Sequence, residues 1–353
     1  MEGKKILVTG SAGMQGRQIV TDLLEQENVS FVEGVDNFSR EYMDDPLEWG
    51  NGFDNRFHFQ KMAYQDLSSK DLADFDAIVH LAAYISVPES MISDDYQILY
   101  RENNAIGTHD LLMKLKNLPE KRWPVFIYAS TAETFGDYFE LPLKPTHCQT
   151  PKSTYAASKL FGESMVNVFA AWFDYPSVAV RSFNTFGPNQ NTGFDSSNGS
   201  PDAAVVALFI KNAIQGKDLH IHGTGEQTRD FQFVGDAVQA YRMLALSDRK
   251  DESGKYYFRG KKYNLGTGIQ TDIITLADKI IKISGSTSHK IHTPQRNGEI
   301  MALQADWSAI YEDVGYEPKT SLDDGLSITI DWYKKRLTGM LDDGSIGDKL
   351  MRT

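Results

Sequence analysis

The sequence of 353 residues contains a single cysteine, Cys148. One cysteine excludes an internal disulfide, and we expect an ordinary loop thiol in a reducing, cytoplasmic compartment. The chain also lacks an apolar run long enough to cross a bilayer. Strand-like residues begin close to the first methionine, so a signal peptide is not expected either.

Positive charge is also scarce. Lysine and arginine number 36 against 48 aspartate and glutamate residues, which gives a net charge of -12. We therefore expect neither nucleic acid nor an anionic membrane as a partner. A nucleotide can still bind through a few local basic groups and backbone amides. A hydrophobic content of 41% and a charged content of 24% are typical of a globular protein.

Strand and helix patterns alternate through the first half of the chain. The apolar patterns predict strands at 5–9, 31–36, 57–61, 77–81, 125–130 and 177–182, and helices at 15–25, 67–74, 96–118 and 154–173. Such alternation is typical of an α/β fold with a parallel sheet covered on both faces. The prediction is a Rossmann-type doubly wound parallel sheet with a smaller mixed α/β C-terminal lobe.

The second half is less regular. We expect helices at 203–215, 273–283 and 322–337, a hairpin at 219–233, and a mobile loop at 193–200. The predicted division is a dinucleotide-binding domain at 1–185, a substrate-binding lobe at 186–337 and a flexible tail at 338–353. Segments near 230–250 are expected to pack back on the first domain.

A glycine motif follows the first predicted strand. Gly10, Gly13 and Gly16 allow a tight turn, a close approach to a pyrophosphate and close packing of the next helix. Asp36 ends the second strand, about 20 residues later, where an acid binds the ribose hydroxyls of NAD and repels the phosphate of NADP. Arg40 is the counter-indication, because it could reach that phosphate. The motif favours NAD.

Tyr155 and Lys159 lie four residues apart on a predicted helix and therefore share a face. The lysine ammonium and an oxidised nicotinamide would both favour the phenolate, so Tyr155 could act as a base. Thr131, at the end of a predicted strand, could relay the proton. The spacing alone also fits a chance pair on an amphipathic helix, and Thr131 also fits a simple helix cap.

In several ordered stretches the chain resembles the extended short-chain dehydrogenase/reductase superfamily, and within it the nucleotide-sugar epimerases and dehydratases. The matching stretches are Val8-Thr-Gly-Ser-Ala-Gly-Met-Gln-Gly16, Val35-Asp-Asn37, His80-Leu-Ala-Ala83, Ser130-Thr131, Tyr155-Ala-Ala-Ser-Lys159, Arg181-Ser-Phe-Asn-Thr-Phe-Gly-Pro188, Gly225-Glu-Gln-Thr-Arg-Asp-Phe231 and Arg296-Asn-Gly-Glu299. The resemblance extends over nearly the whole chain. It implies an NAD-dependent enzyme acting on a nucleotide-diphosphate sugar, most simply a UDP-sugar.

The resemblance also implies roles for individual residues. Those implied to bind the cofactor are Gly10, Gly13, Met14, Gln15, Gly16, Asp36, Asn37, Asp66, Leu67, Leu81, Ala82, Ala83, Asn103, Tyr155, Lys159 and Phe183. Those implied to bind the substrate are Ser86, Thr131, Asn184, His222, Arg229 and Arg296. The two arginines would clamp the diphosphate, and His222 would lie near the nucleotide base. No metal site is expected.

The reaction type is left open by the residues beside Thr131. Ser86-Val-Pro-Glu-Ser90 resembles the 4-epimerases, in which a transient 4-keto sugar receives hydride on its other face. Glu133 matches the catalytic glutamate of 4,6-dehydratases and sugar-acid decarboxylases, yet Ala132 replaces the polar residue beside it. We favour an epimerase, with a dehydratase or decarboxylase as the alternative. A non-catalytic NAD-binding sensor is a third hypothesis, against which the intact Thr131, Tyr155 and Lys159 argue.

A homodimer is the expected assembly. Relatives of this kind pair the helix that carries the catalytic tyrosine with the helix predicted at 96–118. The apolar residues available on the tyrosine helix are Phe161, Met165, Val168, Phe169 and Trp172. The alternative is that these side chains are buried against the sheet of their own chain.

Overall fold

The computed structural model describes residues 3–40, 54–138, 140–191, 204–296 and 298–337. The predicted loop at 193–200 and the predicted tail at 338–353 lie outside these ranges. The strands are β1 (Lys4–Thr9), β2 (Val29–Asp36), β3 (Phe57–Lys61), β4 (Ala77–His80), β5 (Val125–Thr131), β6 (Ser177–Ser182), β7 (Asn184–Phe186), β8 (Leu219–His222), β9 (Thr228–Phe233), β10 (Lys262–Leu265), β11 (Gln270–Asp272) and β12 (Lys290–Thr293).

The α-helices alternate with the strands in the first half of the chain. They are α1 (Met14–Leu24), α2 (Ser69–Leu72), α3 (Asp94–Tyr100), α4 (Thr108–Lys116), α5 (Thr154–Phe173), α6 (Val205–Ile214), α7 (Val234–Leu246), α8 (Ile273–Ser284), α9 (Ser308–Val314) and α10 (Leu322–Leu337). A π-helical segment, Arg101–Gly107, joins α3 to α4. No helix of the described ranges combines the length and the apolar composition needed to cross a membrane.

The central sheet has seven parallel strands in the order β10-β6-β5-β4-β1-β2-β3. Its first six strands in chain order follow the doubly wound arrangement, in which the strand order reverses between β1 and β4. Ligands of such sheets bind at the carboxyl ends of the strands beside this reversal. The predicted fold class is therefore confirmed.

Helices cover both faces of the sheet because side chains alternate along each buried strand. Ile6 and Val8 of β1 point to the face covered by α1 and α7, where they pack with Ile19 and Val238. Leu7 points to the other face, covered by α4 and α5. The segment α7 therefore packs back on the first half of the chain, while β10 adds a strand to the sheet. The division at 1–185 and 186–337 stays a prediction.

A second apolar core lies in the C-terminal region, between α6, α8 and α10 and two small sheets. The predicted hairpin at 219–233 is wrong. Strand β8 pairs in parallel with β12, whereas β9 pairs with β7 and β11. Gly223 and Gly225 do form a turn with positive φ. The chain then diverges because Ile221 and Phe231 are buried with different partner strands.

Candidate active site

A cavity of about 1100 Å³ opens at the carboxyl ends of β1, β2, β4, β5 and β6. The parallel registers align these ends: Thr9 lies opposite Val35 and His80, and Thr131 lies opposite Ser182. The cavity is bounded on its other side by residues of the C-terminal region. It therefore lies between the two halves of the chain, where a dinucleotide and a second ligand could meet.

The glycine turn closes one end of the cavity. Gly10 has a φ of +72°, and a β-carbon there would lie 2.7 Å from the Ala82 nitrogen. At Gly16 a β-carbon would lie 2.3 Å from the Gly10 oxygen, so the turn itself requires this glycine. A β-carbon at Gly13 would touch only the Gly10 oxygen, at 3.4 Å. Gly13 thus presents open space to the cavity at the start of α1, a place suited to a phosphate.

Asp36 lies at the end of β2 beside this turn. Its Oδ2 accepts a hydrogen bond from the Ala12 amide at 3.1 Å, and its Oδ1 accepts one from the Phe38 amide at 2.9 Å. The buried carboxylate is therefore held against the glycine turn. Its position fits the predicted binding of ribose hydroxyls.

Tyr155 and Lys159 lie on the first two turns of α5. This helix begins after Ser153, whose hydroxyl accepts a hydrogen bond from the Ala156 amide at 3.1 Å. Both side chains are buried, and the Lys159 nitrogen lies 4.5 Å from the centre of the Tyr128 ring. Burial lowers the pKa of Lys159 to about 7, although the carboxylate of Glu163 raises it.

The protein's own groups raise the pKa of Tyr155. Burial is the main cause, and a hydrogen bond with the Thr131 hydroxyl lowers the pKa only in part. A phenolate at neutral pH therefore requires added positive charge, which agrees with the expected contribution of an oxidised nicotinamide. Thr131 has two roles, because its hydroxyl also accepts a hydrogen bond from the Glu133 amide at 3.2 Å.

A buried ionic network connects α5 to the central sheet. Glu163, one turn after Lys159, binds Arg181 through two hydrogen bonds of 2.9 and 2.7 Å, and both side chains are fully buried. The Ser130 hydroxyl donates to the same carboxylate at 2.5 Å. The network ties α5 to the ends of β5 and β6, and so fixes Tyr155 relative to Thr131.

Glu133 and Ala132 follow Thr131 in a short 3₁₀ turn. The methyl group of Ala132 is buried in a small apolar cluster with Phe135 and Leu303. Burial raises the pKa of Glu133, Arg229 lowers it, and Glu299 raises it further. Glu133 thus lies in the cavity between Tyr155 and the predicted diphosphate clamp.

The predicted clamp lies at the far end of the cavity. Arg229 donates to Glu299 at 2.6 Å and to the Ile300 carbonyl at 2.7 Å. Burial lowers the pKa of His222, and the charge of Arg296 lowers it further. The Asn184 Oδ1 is buried without a hydrogen-bond partner. An unpaired amide oxygen at the cavity wall fits a group that binds a ligand.

The structure brings nearly all predicted site residues to this cavity. Those on its wall are Gly10, Gly13, Met14, Gln15, Gly16, Asp36, Asn37, Leu81, Ala82, Ala83, Ser86, Asn103, Thr131, Glu133, Tyr155, Lys159, Phe183, Asn184, His222, Arg229 and Arg296. Asp66 and Leu67 are not on the wall, and Leu67 is instead buried in the core beneath α4. The residues' roles stay predictions.

The sequence analysis missed other residues of the wall. Asn189, with a φ of +65°, has both polar side-chain atoms buried without a hydrogen-bond partner. The other missed residues with polar side chains include Tyr64, Tyr84, Lys152, Thr185, Gln190, His220 and Gln227. Asn189 and Gln190 follow directly on the matched stretch that ends at Pro188, which is the signal that could have found them. Within the described ranges, no group of three or more His, Cys, Asp or Glu side chains could hold a metal ion.

Comparison with known proteins agrees with this geometry. The sequence model of the family described as GDP-mannose 4,6 dehydratase matches residues 7–329. The chain belongs to this family of the extended short-chain dehydrogenases/reductases. The resemblance to this superfamily that the sequence indicated is thereby confirmed. Membership covers both parts of the fold, since the match runs from β1 into α10.

Relatives with different reactions match about equally well. The structure of UDP-glucuronic acid 4-epimerase from Bacillus cereus, in complex with UDP-glucuronic acid and NAD, is 30% identical with a TM-score of 0.81, covering 94% of this chain and 99% of that chain. The UDP-glucose 4-epimerase of Mycolicibacterium smegmatis is 27% identical over 335 residues, and the match covers 94% of this chain and 99% of that protein. The dTDP-glucose 4,6-dehydratase of Streptomyces niveus is 27% identical over 340 residues, covering 94% and 93%.

These comparisons confirm the prediction of a family of NAD-dependent enzymes that act on nucleotide sugars. The relatives include epimerases and dehydratases, so the family alone does not assign the reaction. That assignment depends on the residues around Tyr155.

Proposed function

We propose that the protein is an NAD-dependent 4-epimerase of nucleotide-diphosphate sugars, with UDP-sugars as the substrate class. The observation that carries the proposal is the arrangement around Thr131. Its hydroxyl contacts Tyr155, Lys159 follows one turn later, and the next residue, Ala132, contributes only a buried methyl group. This set can remove and return a hydroxyl proton, but Ala132 cannot donate a proton to a departing hydroxide.

The residues present fit NAD. Gly13 offers open space at a helix start for the pyrophosphate, and Asp36 is held as an acceptor for ribose hydroxyls. Gly10 and Gly16 maintain the turn between them. Bound NAD would supply a reversible hydride acceptor beside the sugar. Leu81, Ala82 and Ala83, which follow β4, would line its path toward Tyr155.

The protein's side chains would then move one proton. Tyr155 accepts the proton of the sugar 4-hydroxyl, with Thr131 as the relay, while the C4 hydrogen leaves as hydride. The product of this step is a 4-keto sugar. After the sugar turns over, Tyr155 returns its proton to the 4-oxygen as hydride is added to the opposite face of C4. The proton and the hydride removed in the first step are both returned in the second, so the reaction needs no external reductant.

A clamp for the diphosphate would let the sugar turn while the nucleotide stays bound. Arg229 and Arg296 have the planar donor groups that bind phosphate oxygens, and both line the far end of the cavity. His222 would lie by the base, and Asn184 would contact the sugar diphosphate, with its unpaired amide oxygen accepting a hydrogen bond from a sugar hydroxyl. The UDP part of the proposal rests on the substrates named for the epimerase relatives.

A 4,6-dehydratase or a decarboxylase is the second candidate. The observation that favours it is Glu133, a carboxyl group with a raised pKa on the wall of the same cavity. A carboxylic acid in such a position could exchange the C5 proton of a 4-keto sugar or donate to a leaving hydroxide.

The experiment that separates these reactions is turnover in deuterated water. Purified protein is incubated with UDP-glucose, UDP-N-acetylglucosamine, UDP-glucuronate or GDP-mannose, and the products are analysed by NMR and mass spectrometry. Inversion at C4 without solvent deuterium is the expected result. A 4-keto-6-deoxy product with deuterium at C5, or loss of carbon dioxide, would replace the epimerase by the second candidate.

Tyr155→Phe tests whether the protein is a catalyst or a sensor. Removing the phenolic oxygen deletes the proton acceptor, so turnover should fall by about 10²-fold or more. Binding of NAD should persist, because the glycine turn and Asp36 are untouched. Unchanged turnover in this variant would reject the proposed role of Tyr155.

A further inference from the structure

An ion pair joins Arg40, a partly exposed residue of the cavity wall, to the buried side chain of Glu89. Arg40 Nη1 donates to Glu89 Oε1 at 2.8 Å, and Arg40 Nη2 donates to the other oxygen of the same carboxylate. The Glu89 side chain is only 3% exposed. The guanidinium carbon of Arg40 also lies 4.6 Å from the centre of the Tyr84 ring. The planar group is thus bound along one edge and on one face.

Glu89 is fixed by neighbours other than Arg40. The Tyr100 hydroxyl donates to Glu89 Oε2 at 2.7 Å, and the Glu89 amide donates to the Ser86 hydroxyl at 3.2 Å. Burial raises the pKa of Glu89, but the hydrogen bonds from Arg40 and Tyr100 outweigh it and hold this pKa below its usual value. Glu89 is therefore a charged, immobile acceptor to which Arg40 is bound.

The position of Arg40 near Asp36 means that this ion pair can affect the choice between NAD and NADP. Arg40 lies four residues after Asp36, and both side chains line the cavity. In dinucleotide-binding folds, an arginine near this acid accommodates the 2′-phosphate of NADP. To reach such a phosphate, Arg40 would have to leave Glu89. That movement would strand a buried carboxylate without its cation, which is strongly unfavourable.

We propose that Glu89 is a specificity-determining residue, which favours NAD over NADP by holding Arg40 away from the ribose 2′-position. Asp36 repels a 2′-phosphate directly, whereas Glu89 withdraws the group that would attract it. The inference rests on the proposed function for the identity of the cofactor as a nicotinamide dinucleotide. It concerns binding, so it does not depend on which sugar reaction is catalysed.

The test compares dissociation constants for NAD⁺ and NADP⁺ by calorimetry. Glu89→Gln keeps the shape of the side chain but removes the charge that holds Arg40. The ratio of Kd for NADP⁺ to Kd for NAD⁺ should fall about tenfold, since a charge-assisted contact to phosphate becomes available. Adding Arg40→Met should abolish this gain. Glu102→Gln is the matched control, because Glu102 pairs with Arg101 on the surface.

Each outcome bears on a separate claim. An unchanged Kd ratio in Glu89→Gln, or a gain that survives Arg40→Met, overturns the role of Glu89. A wild-type protein that binds neither dinucleotide overturns the proposed function itself. If Glu89→Gln fails to fold, Arg40→Met alone is decisive. In Arg40→Met, Kd for NADP⁺ should stay within about twofold of wild type, and a larger rise contradicts the proposal, because Arg40 would already be contacting the phosphate.

Discussion

Gly13 and Gly16 are glycines for different structural reasons, which follow from the atoms around each position. A β-carbon at position 16 would overlap the Gly10 oxygen at 2.3 Å, whereas one at position 13 would touch only that oxygen at 3.4 Å. Gly16 is therefore required by the turn. Gly13 is required by whatever approaches the turn from the cavity.

This contrast predicts opposite effects of two alanine substitutions. Gly13→Ala should leave the melting temperature within a few degrees of wild type but weaken NAD binding about tenfold or more, because its methyl group would occupy the phosphate position. Gly16→Ala should lower the melting temperature itself, because the backbone must shift. Thermal unfolding and calorimetry with NAD measure both effects. Equal loss of stability in the two variants would contradict the interpretation.

Glu133 offers a second test at the level of one side chain. In an epimerase it shapes the cavity and its charge without transferring a proton, so Glu133→Gln should retain turnover within about fivefold. In a dehydratase or decarboxylase the same change should cost about 10²-fold or more. Initial rates with the best substrate of the panel measure the difference. Glu299→Gln, which removes the charge of the other carboxylate that acts on Glu133, is the matched control.

At the scale of elements, a chain of hydrogen bonds joins β1, β4 and α4 beneath the cavity. The Thr108 hydroxyl donates to the Asn104 carbonyl at 2.8 Å, so it must accept from His80 Nε2, 3.1 Å away. His80 Nδ1 then accepts from the Thr9 hydroxyl at 2.7 Å. The neutral imidazole satisfies every partner, and burial lowers the pKa of His80 to about 3.

This arrangement predicts that His80 makes the fold sensitive to acid. In the unfolded chain His80 becomes protonated below a pH of about 6.5. In the folded protein it stays neutral down to a pH of about 3. The unfolded state therefore binds more protons within this window. The free energy of unfolding should fall by about 1.4 kcal/mol for each pH unit of acidification attributable to this residue.

Denaturant unfolding of wild type and His80→Gln between pH 7 and pH 4 measures this contribution. The difference between the two proteins should shrink as the pH falls, because only wild type has the titrating group. A constant difference over the window would show that His80 does not carry the acid sensitivity.

Local signals in the sequence predict most helices and strands. The pairing between distant segments could not be predicted from the sequence. Helix α5 was predicted with its observed bounds, because Ser153 caps its start and Asp174, with a φ of +59°, ends it. The wrong hairpin at 219–233 had suitable turn residues, but β8 and β9 are each paired with strands elsewhere in the chain. The Arg40–Glu89 pair, 49 residues apart, has no local signal either.

At the scale of the whole molecule, the cavity lies where the parallel sheet meets the second core, so both halves must be in place for the site to exist. Helix α5 contributes Tyr155 and Lys159 at its start, and its other end reaches the outside of the protein. The apolar residues on its outer face are only partly covered by this chain. Phe169 is buried, as the alternative to a dimer expected, but Trp172 is 81% exposed.

Apolar side chains are exposed on α5 and also on the helical segments that pack beside it. Phe161, Val168 and Trp172 recur at helical spacing, and Ile98, Ile106 and Met113 are exposed on α3, the π-helical segment and α4. Exposed apolar side chains on neighbouring helices are typical of an interface, for which a stable dimer needs about 800 Å² from each partner. We expect two copies of the chain to pair through it.

Trp172→Glu should dissociate this dimer, because it removes a large apolar contact and places a charge in the expected interface. Sedimentation should show the wild-type protein as a dimer at about 10 μM, and the variant's dissociation constant should rise about 100-fold or more. Ile269→Glu is the matched control, since Ile269 is 67% exposed in the loop between β10 and β11. A wild-type monomer, or equal dissociation by both variants, would exclude the α5 face as the interface.

Because α5 also positions Tyr155, a drop in turnover that follows the dissociation of Trp172→Glu would further show that the dimer stabilises the catalytic helix.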